Sequence, residues 1–219
     1  VNADDPWTPR LIKNATCRMM CYSTKSAADL TAEHIALHSD GVEFDAVSGG
    51  ERAHVRLGIP GAFTVYNALG VIQAAQALGL PLEKIAAALS TAQGVKGRAE
   101  VVPTPGKDYT VLIDYSHTPD SLENILKTVR GFCRGHVIAV FGCGGDRDPF
   151  KRPIMGGIAA RLADVAVVTS DNPRTEDPNE IIRQIVAGMD GAKTPPTVIE
   201  NRPKAIEWAM DHAEPGDVI

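Results

Sequence analysis

The sequence lacks several features that mark other classes of protein. Its 219 residues carry 22 lysines and arginines against 27 aspartates and glutamates, a net charge of −5. Nucleic-acid-binding domains show the opposite, a basic stripe or patch. No apolar run approaches the roughly 20 residues that cross a bilayer, and the first residues lack the basic-then-apolar order of a signal peptide. We therefore predict a globular protein that binds neither nucleic acid nor membrane.

Neither the cysteines nor the histidines form the pattern of a disulfide framework or a metal site. The four cysteines contain no Cys-x-x-Cys pair; they are Cys17, Cys21, Cys133 and Cys143. Reduced thiols in a cytoplasmic protein are the simplest interpretation. His34 and His38 share one face of a predicted strand, but no third ligand accompanies them, so we predict no metal site in these residues.

The glycine-rich phosphate-binding motifs are also missing. No G-x-x-x-x-G-K-[ST] sequence occurs in the 219 residues, and Gly142, Gly144 and Gly145 do not complete G-x-G-x-x-G because Arg147 stands at its last position. The chain starts at Val1 without a methionine, and its last residues, Val218 and Ile219, resemble the start of a strand. We expect a piece of a longer protein.

Two different patterns divide the chain. Residues 34–38, 41–47 and 53–57 alternate apolar and polar side chains, which predicts a small antiparallel meander. Helical spacing then predicts helices at 62–78 and 82–92, with Val65, Leu69, Ile72, Ala75 and Leu78 on the apolar face of the first.

After residues 95–100, which we interpret as a linker, strands alternate regularly with helices. The predicted strands are 110–115, 136–141, 164–169, 197–200 and one from 217; the predicted helices are 119–132, 151–163, 178–189 and 203–212. This alternation predicts a mostly parallel sheet with right-handed crossovers. We place the domain boundary near Gly97.

Two consecutive βα turns, Gly142–Asp148 and Ser170–Arg174, should lie at the same edge of that sheet. Ligands of open α/β sheets bind outside the carboxyl ends of the strands. Glycines let the first backbone approach a ligand closely, and a helix N-terminus follows it, which favours an anion. We predict the substrate site here, although each turn alone is also explained as an ordinary solvated turn.

The second turn has the chemistry to bind an amino acid. Pro173 should force Asn172 out of the α region and so fix the flanking side chains. Asp171 could then accept an ammonium group, and Arg174 could bind a carboxylate through two hydrogen bonds. Cys143, in the first turn, has no dedicated base nearby in sequence, so we interpret it as an incidental thiol rather than a nucleophile.

A third turn, Asp114–Asp120, follows the first strand of the predicted sheet. Asp114 could bind the hydroxyls of a ribose, as acidic residues at strand ends do, and His117 could contact a phosphate or a base. The same residues suit a helix start, with Thr118 or Ser116 as the cap before a proline. The two roles are compatible. A Ser-His-Asp triad is disfavoured because neighbours on one strand end cannot align that way.

Together these motifs resemble the Mur ligases of peptidoglycan synthesis. The residues that carry the resemblance are Val1-Asn-Ala-Asp-Asp5, Gly61-Ala-Phe-Thr-Val-Tyr-Asn67, Gly97-Arg98, Asp114-Tyr-Ser-His-Thr-Pro-Asp120, Phe141-Gly-Cys-Gly-Gly-Asp-Arg-Asp148, Lys151-Arg-Pro153 and Asp171-Asn-Pro-Arg174. Ser116 stands where the family usually has alanine. The match to Asp-Asn-Pro-Arg points to the diaminopimelate-adding members.

The resemblance implies an ATP-dependent amide-bond ligase. ATP would phosphorylate the D-glutamate carboxylate of UDP-MurNAc-L-Ala-D-Glu, and an amino group of meso-diaminopimelate would attack the acyl phosphate. It implies an α/β fold in two domains. Residues 1–96, the meander and helices, would end the central ATP-binding domain, and residues 97–219 would form most of the Rossmann-like C-terminal domain.

The resemblance also implies roles for single residues. Those expected to bind diaminopimelate are Arg147, Asp171, Asn172, Pro173 and Arg174; those expected on the ATP side are Asn67, Arg98, Asp114 and His117. No catalytic residue and no Mg²⁺ ligand is expected within the 219 residues, so the piece alone should be inactive. The alternatives are a lysine-adding ligase, disfavoured by Arg174, and a non-catalytic Mur-like binding module.

Overall fold

The computed structural model describes all residues, Val1–Ile219. The chain divides into two compact units, Val1–Gly94 and Val95–Ile219. None of the helices combines the length and apolar character that crossing a membrane requires.

The first unit is a four-stranded sheet covered by helices. Its elements are α1 (Thr8–Lys13), β1 (Tyr22–Ser23), β2 (Leu30–His38), β3 (Gly41–Ser48), β4 (Glu51–Leu57), α2 (Ala62–Ala77) and α3 (Leu82–Leu89). The order is β1-β2-β3-β4, with β2, β3 and β4 antiparallel and β1 parallel to β2. The predicted meander and both predicted helices are confirmed, whereas α1 and β1 carry too short a pattern to have been predicted.

The apolar spacing of the sequence predicts the core of this unit correctly, with one exception at Leu78. One face of the meander packs with α2 and α3 through buried residues that include Leu30, Val42, Phe44, Val55, Val65, Leu69 and Ile72. Leu78, predicted on the same helix face, is instead 84% exposed. It lies just beyond the last helical residue, Ala77, where the helical period no longer sets the direction of a side chain.

The second unit contains the predicted alternation of strands and helices. Its elements are β5 (Glu100–Val102), β6 (Val111–Ile113), α4 (Pro119–Arg130), β7 (Ile138–Phe141), α5 (Lys151–Leu162), β8 (Val165–Val168), α6 (Pro178–Val186), β9 (Thr197–Val198) and α7 (Arg202–Asp211). Strands β7, β8 and β9 are parallel and adjacent in that order. Val218 bridges in parallel to both Thr110 and Val137, so the last residues of the chain lie between the β6 and β7 segments.

The prediction of a linker at residues 95–100 is wrong for its last residue. Glu100 begins β5, which pairs antiparallel with β6 in the register Glu100↔Ile113. A three-residue edge strand has no detectable period of its own, and only its partner strand defines it.

Strand pairing brings the carboxyl ends of β7 and β8 together. Phe141 lies opposite Val168, and the amide of Thr169 donates to the carbonyl oxygen of Phe141 at 2.9 Å. The turns Gly142–Asp148 and Ser170–Arg174 therefore begin side by side at one edge of the sheet.

Candidate substrate site

The two turns that follow β7 and β8 are bonded to each other. The amide of Gly145 donates to the carbonyl oxygen of Asn172 at 3.1 Å. The carboxylate of Asp146 accepts the Thr175 hydroxyl at 2.7 Å and the Thr175 amide at 3.3 Å. The structure thus joins the two segments that sequence spacing placed at one edge into a single surface.

Close backbone packing explains the glycines of the first turn. A β-carbon on Gly145 would lie 1.9 Å from the carbonyl oxygen of Pro173, and one on Gly142 would lie 2.2 Å from that of Thr169. Any side chain at either position would push the turns apart. The glycines therefore set the separation of the two turns.

Three non-glycine residues of this surface have a left-handed backbone. The φ angles are 50° at Asp146, 45° at Asn172 and 52° at Arg174. Asn172 lies outside the right-handed α region, which the proline after it disfavours, but it adopts the left-handed region and not the extended one that is usual before proline. Such conformations cost about 1–3 kcal/mol each, persist only where the surroundings impose them, and cluster at functional sites.

The guanidinium of Arg174 lies across the first turn and has one side free. Its Nη1 donates to the carbonyl oxygens of Gly145 at 2.7 Å and Asn172 at 3.3 Å. Its Nε and Nη2 make no hydrogen bond with the protein, and the side chain is exposed. A carboxylate can accept two parallel hydrogen bonds from that free edge.

Two further charged side chains border the same surface. Arg147 is exposed, and its only hydrogen bond is from Nη1 to the carbonyl oxygen of Asp146 at 3.2 Å. Asp171 is half-buried, and its carboxylate accepts only the Asn172 side-chain amide, at 3.1 Å. The surface therefore offers two cations, one anion and one amide to a ligand, the set that a zwitterion with an extra carboxylate needs.

Sequence reasoning missed the ion pair beneath these turns. Arg152, in the first turn of α5, is 1% exposed. It donates from Nη1 to Oε2 and from Nη2 to Oε1 of Glu176, both at 2.8 Å, and also to Gln184 at 2.8 Å and the Gly144 carbonyl oxygen at 3.3 Å. The Arg152 guanidinium lowers the pKa of the Glu176 carboxyl. Because arginine is rarely fully buried, nothing local in the sequence marks this one.

Cys143 has the environment of a structural thiol. It is 2% exposed, and its Sγ lies 3.7 Å from Sδ of Met155. Burial raises the pKa of this thiol to about 11. A protonated, buried thiol is a poor nucleophile, which agrees with the interpretation of Cys143 as incidental.

Three of the four residues predicted on the ATP side come together around Tyr115. The Arg98 guanidinium lies 5.4 Å from the centre of the Tyr115 ring, and the His117 ring meets it edge-on at 5.0 Å. Asp114 accepts the amides of Ala99 at 2.8 Å and Ser116 at 2.9 Å. Tyr115, which is 65% exposed, was not among the predicted site residues.

The helix cap predicted in the same segment is confirmed at Thr118. Its hydroxyl accepts the Ser121 amide, and the Ser121 hydroxyl accepts the Thr118 amide, which forms a capping box at the start of α4. Ser116 instead bonds to Asp114. Lys151 Nζ donates to the carbonyl oxygen of His117 at 2.8 Å, so the capped segment is tied to the start of α5.

Asn67, the fourth residue, belongs to the first unit. It is an exposed residue of α2. The preceding residue, Tyr66, donates its hydroxyl to the Asp4 carboxylate at 3.0 Å, and Asp4 also accepts the Ser23 hydroxyl at 2.6 Å. These bonds hold the first residues of the chain against α2.

Comparison with known proteins agrees with the resemblance found in the sequence. The family described as Mur ligase, glutamate ligase domain, matches residues 97–219, and the Mur ligase middle domain matches residues 1–75. Two relatives named UDP-N-acetylmuramoyl-L-alanyl-D-glutamate--2,6-diaminopimelate ligase are 45% identical (Clostridium botulinum) and 48% identical (Clostridium acetobutylicum, ligase 1) over 220 residues. Both alignments cover 100% of this chain and 45% of the relative.

A solved structure with the same enzyme name is similar throughout. It superposes with a TM-score of 0.77 at 33% identity, covering 99% of this chain and 45% of the other. This chain thus spans about half the length of the relatives that it matches. One family profile alone accounts for more than half of its residues, and the chain belongs to the Mur ligase family.

Proposed function

We propose that this chain is part of an ATP-dependent ligase that adds meso-diaminopimelate to UDP-MurNAc-L-Ala-D-Glu. The observation that carries the proposal is the placement of Arg147 and Arg174 on the bonded pair of turns that also holds Asp171. Relatives with 41–48% identity carry the name of that enzyme, which supports the proposed substrates and a place in peptidoglycan synthesis.

The side chains of the two turns are proposed to bind one end of diaminopimelate. The free edge of Arg174 and the exposed guanidinium of Arg147 bind its carboxylate, Asp171 accepts its ammonium group, and Asn172, set by Pro173, donates its amide. The amino group at the opposite end is then free to react. Lysine has no carboxylate at that end and would leave Arg174 unpaired, which a site built for a polar group rejects strongly.

The proposed reaction activates a carboxylate before the amine attacks it. The γ-phosphoryl group of ATP moves to the D-glutamate carboxylate of the nucleotide-sugar dipeptide, because a bare carboxylate has a poor leaving group. The amine then displaces phosphate and the amide forms. This chain contributes by holding the amine in place, and orientation of this kind can supply several kcal/mol of a barrier, roughly 7–11 in favourable intramolecular cases.

On the nucleotide side we propose Asn67, Arg98, Asp114 and His117, with Tyr115 as a stacking surface. Both carboxylate oxygens of Asp114 already accept backbone amides. Each carboxylate oxygen can accept about two hydrogen bonds, so a ribose hydroxyl can still bind. The ligase would need Mg²⁺ with ATP, but no three His, Cys, Asp or Glu side chains of this chain are grouped to hold a metal ion, and none is proposed as its ligand.

The proposed domains are residues 1–96, from the central ATP-binding domain, and residues 97–219, from the amino-acid-binding domain. A cytoplasmic location is part of the proposal, because the substrates are nucleotide-linked and small. All four cysteines are free, which is compatible with a reducing compartment.

The direct test is ligation by the product of the complete reading frame that contains these residues. It receives UDP-MurNAc-L-Ala-D-Glu, ATP and magnesium, with meso-diaminopimelate and L-lysine offered in separate reactions. Phosphate release and the mass of the product are measured. Turnover with diaminopimelate and little with lysine is the expected result.

The other outcomes separate the alternatives. Turnover with lysine would retain the ligase but overturn the role proposed for Arg174. No turnover with either amino acid, in a folded protein that still binds the nucleotide-sugar dipeptide, would favour a non-catalytic Mur-like module.

A further inference from the structure

We propose that Arg152 and Glu176 are positioning residues that hold the Asn172–Arg174 turn in its ligand-binding shape and so help to select an amino acid with a second carboxylate. The inference rests on the diaminopimelate site proposed above. It adds two residues that would not contact the substrate themselves.

The pair ties both turns to the helix beneath them. Arg152 binds the first turn directly, through the carbonyl oxygen of Gly144 at 3.3 Å. It binds the second turn through the carboxylate of Glu176, two residues after Arg174 in the chain. One buried guanidinium in α5 therefore bonds to both turns at once.

Glu176 also bonds across to the first turn. Its Oε1 accepts the Asp146 amide at 2.6 Å as well as Nη2 of Arg152 at 2.8 Å. Asp146 in turn accepts the hydroxyl of Thr175, the neighbour of Glu176, at 2.7 Å. The two turns exchange side-chain bonds in both directions, and this closed set of bonds surrounds the left-handed backbone at Asp146 and Arg174.

Because Arg152 is buried, its guanidinium depends on the bidentate contact with Glu176. The side chain is 1% exposed, and its Nε has no hydrogen-bond partner. A buried guanidinium that already leaves one N–H unpaired depends on the bidentate contact to Glu176. Lysine could retain the charge at this position but not the two parallel bonds.

Removal of the Arg152–Glu176 pair should weaken the use of diaminopimelate and not of ATP. Loss of the pair lets the Asn172–Arg174 turn relax, which moves the free edge of Arg174 relative to the amino-acid carboxylate. Misplacement by about 1 Å can cost up to about a hundredfold in an enzyme's performance. The residues predicted on the ATP side, Arg98, Asp114 and His117, have no bond to this pair and should be unaffected.

The test uses Glu176→Gln in the product of the complete reading frame, because glutamine keeps the shape and can still accept the Asp146 amide. We expect the KM for diaminopimelate to rise about tenfold to a hundredfold, with the KM for ATP little changed and with weaker discrimination against lysine. Arg152→Lys should shift the KM in the same direction. Thr175→Val, at an exposed position, should produce a smaller rise and does not put the fold at risk.

The matched control is Glu123→Gln. Glu123 pairs with Lys127 at 2.7 Å within α4, where both side chains are at least partly exposed, so the same substitution removes an ion pair that holds neither turn. This variant should have the wild-type KM values for all substrates.

Two results would overturn the inference while leaving the proposed function intact. One is an unchanged KM for diaminopimelate in both Glu176→Gln and Thr175→Val. The other is an equal loss for all substrates together with a lower melting temperature, which would make the pair merely structural. A wild-type protein that does not use diaminopimelate would instead refute the proposed function and this inference with it.

Discussion

The carbonyl oxygen of Pro173 lies 1.9 Å from the point that a β-carbon on Gly145 would occupy. This contact involves two backbones, so neither side can yield without moving a whole turn. Gly145→Ala should therefore displace the Asn172–Arg174 turn and raise the KM for diaminopimelate by about tenfold or more. Steady-state kinetics of the product of the complete reading frame, with diaminopimelate varied and then ATP varied, would measure this.

The control for Gly145→Ala is Gly58→Ala. A β-carbon on Gly58 would meet only the carbonyl oxygen of Asp40, at 3.9 Å, which is an ordinary contact. Its kinetics should be those of the wild type. A Gly145→Ala protein with unaltered affinity for diaminopimelate would show that the separation of the two turns does not matter for binding.

Arg174 should contribute to the binding of diaminopimelate and not of ATP. Arg174→Ala removes a two-bond contact with a carboxylate, and hydrogen bonds to charged groups contribute about 1.5–3 kcal/mol, which is about tenfold to 150-fold in KM. Arg174→Lys should fall between this variant and the wild type, because an ammonium cannot form the parallel pair of bonds. Equal increases in the KM for diaminopimelate and ATP would contradict the assignment.

Two helical glycines should respond in opposite ways to the same substitution. A β-carbon on Gly156, in α5, would lie 2.1 Å from the carbonyl oxygen of Ile185, whereas one on Gly70, in α2, would lie no closer than 3.5 Å to any atom, the nearest being the Tyr22 hydroxyl oxygen. Gly156→Ala should destabilise by about 1–3 kcal/mol through overpacking. Gly70→Ala should stabilise by about 0.5–1 kcal/mol because alanine favours the helix. Urea unfolding of the two variants checks both signs.

Asp164 should contribute stability that disappears in acid. Burial alone would raise the pKa of its carboxyl, but bonds from Lys193, the Val137 amide and Arg130 outweigh burial and lower it from 3.8 to about 2. The folded protein therefore binds the proton less well than the unfolded chain does. The stabilisation is complete above about pH 4 and is lost as the pH falls through about 2.

The matched variant for this effect is Asp164→Asn. Above pH 4 it should be less stable than the wild type by about 1–2 kcal/mol. This is less than the free energy equivalent to the full pKa shift, because Arg130 and Lys193 are partly exposed and solvent screens their charges. The difference should shrink towards pH 2. Urea unfolding between pH 6 and pH 2.5 measures it, and a difference that does not vary with pH would rule out the charge as its cause.

Most of the fold was predictable from short sequence patterns. The meander followed from period-2 alternation, and its Gly49-Gly50 turn has the positive φ angles, 58° and 85°, that a two-residue hairpin favours. The helices of the second unit followed from apolar spacing and from helix caps. Thr118 is one such cap, and its hydroxyl accepts the backbone amide of Ser121 in the first turn of α4. These features were predictable because their energies depend on residues within a few positions of each other.

The shared sheet edge of the two charged turns was also predictable from sequence, because the carboxyl ends of parallel strands joined by helices lie at the same edge. The burial of Arg152 beneath those turns was not predictable, since its partner Glu176 is 24 residues away. The same holds for Val218, which lies between the segments of Thr110 and Val137. Pairing across such distances depends on how complete elements pack, and no short stretch of sequence encodes the partner.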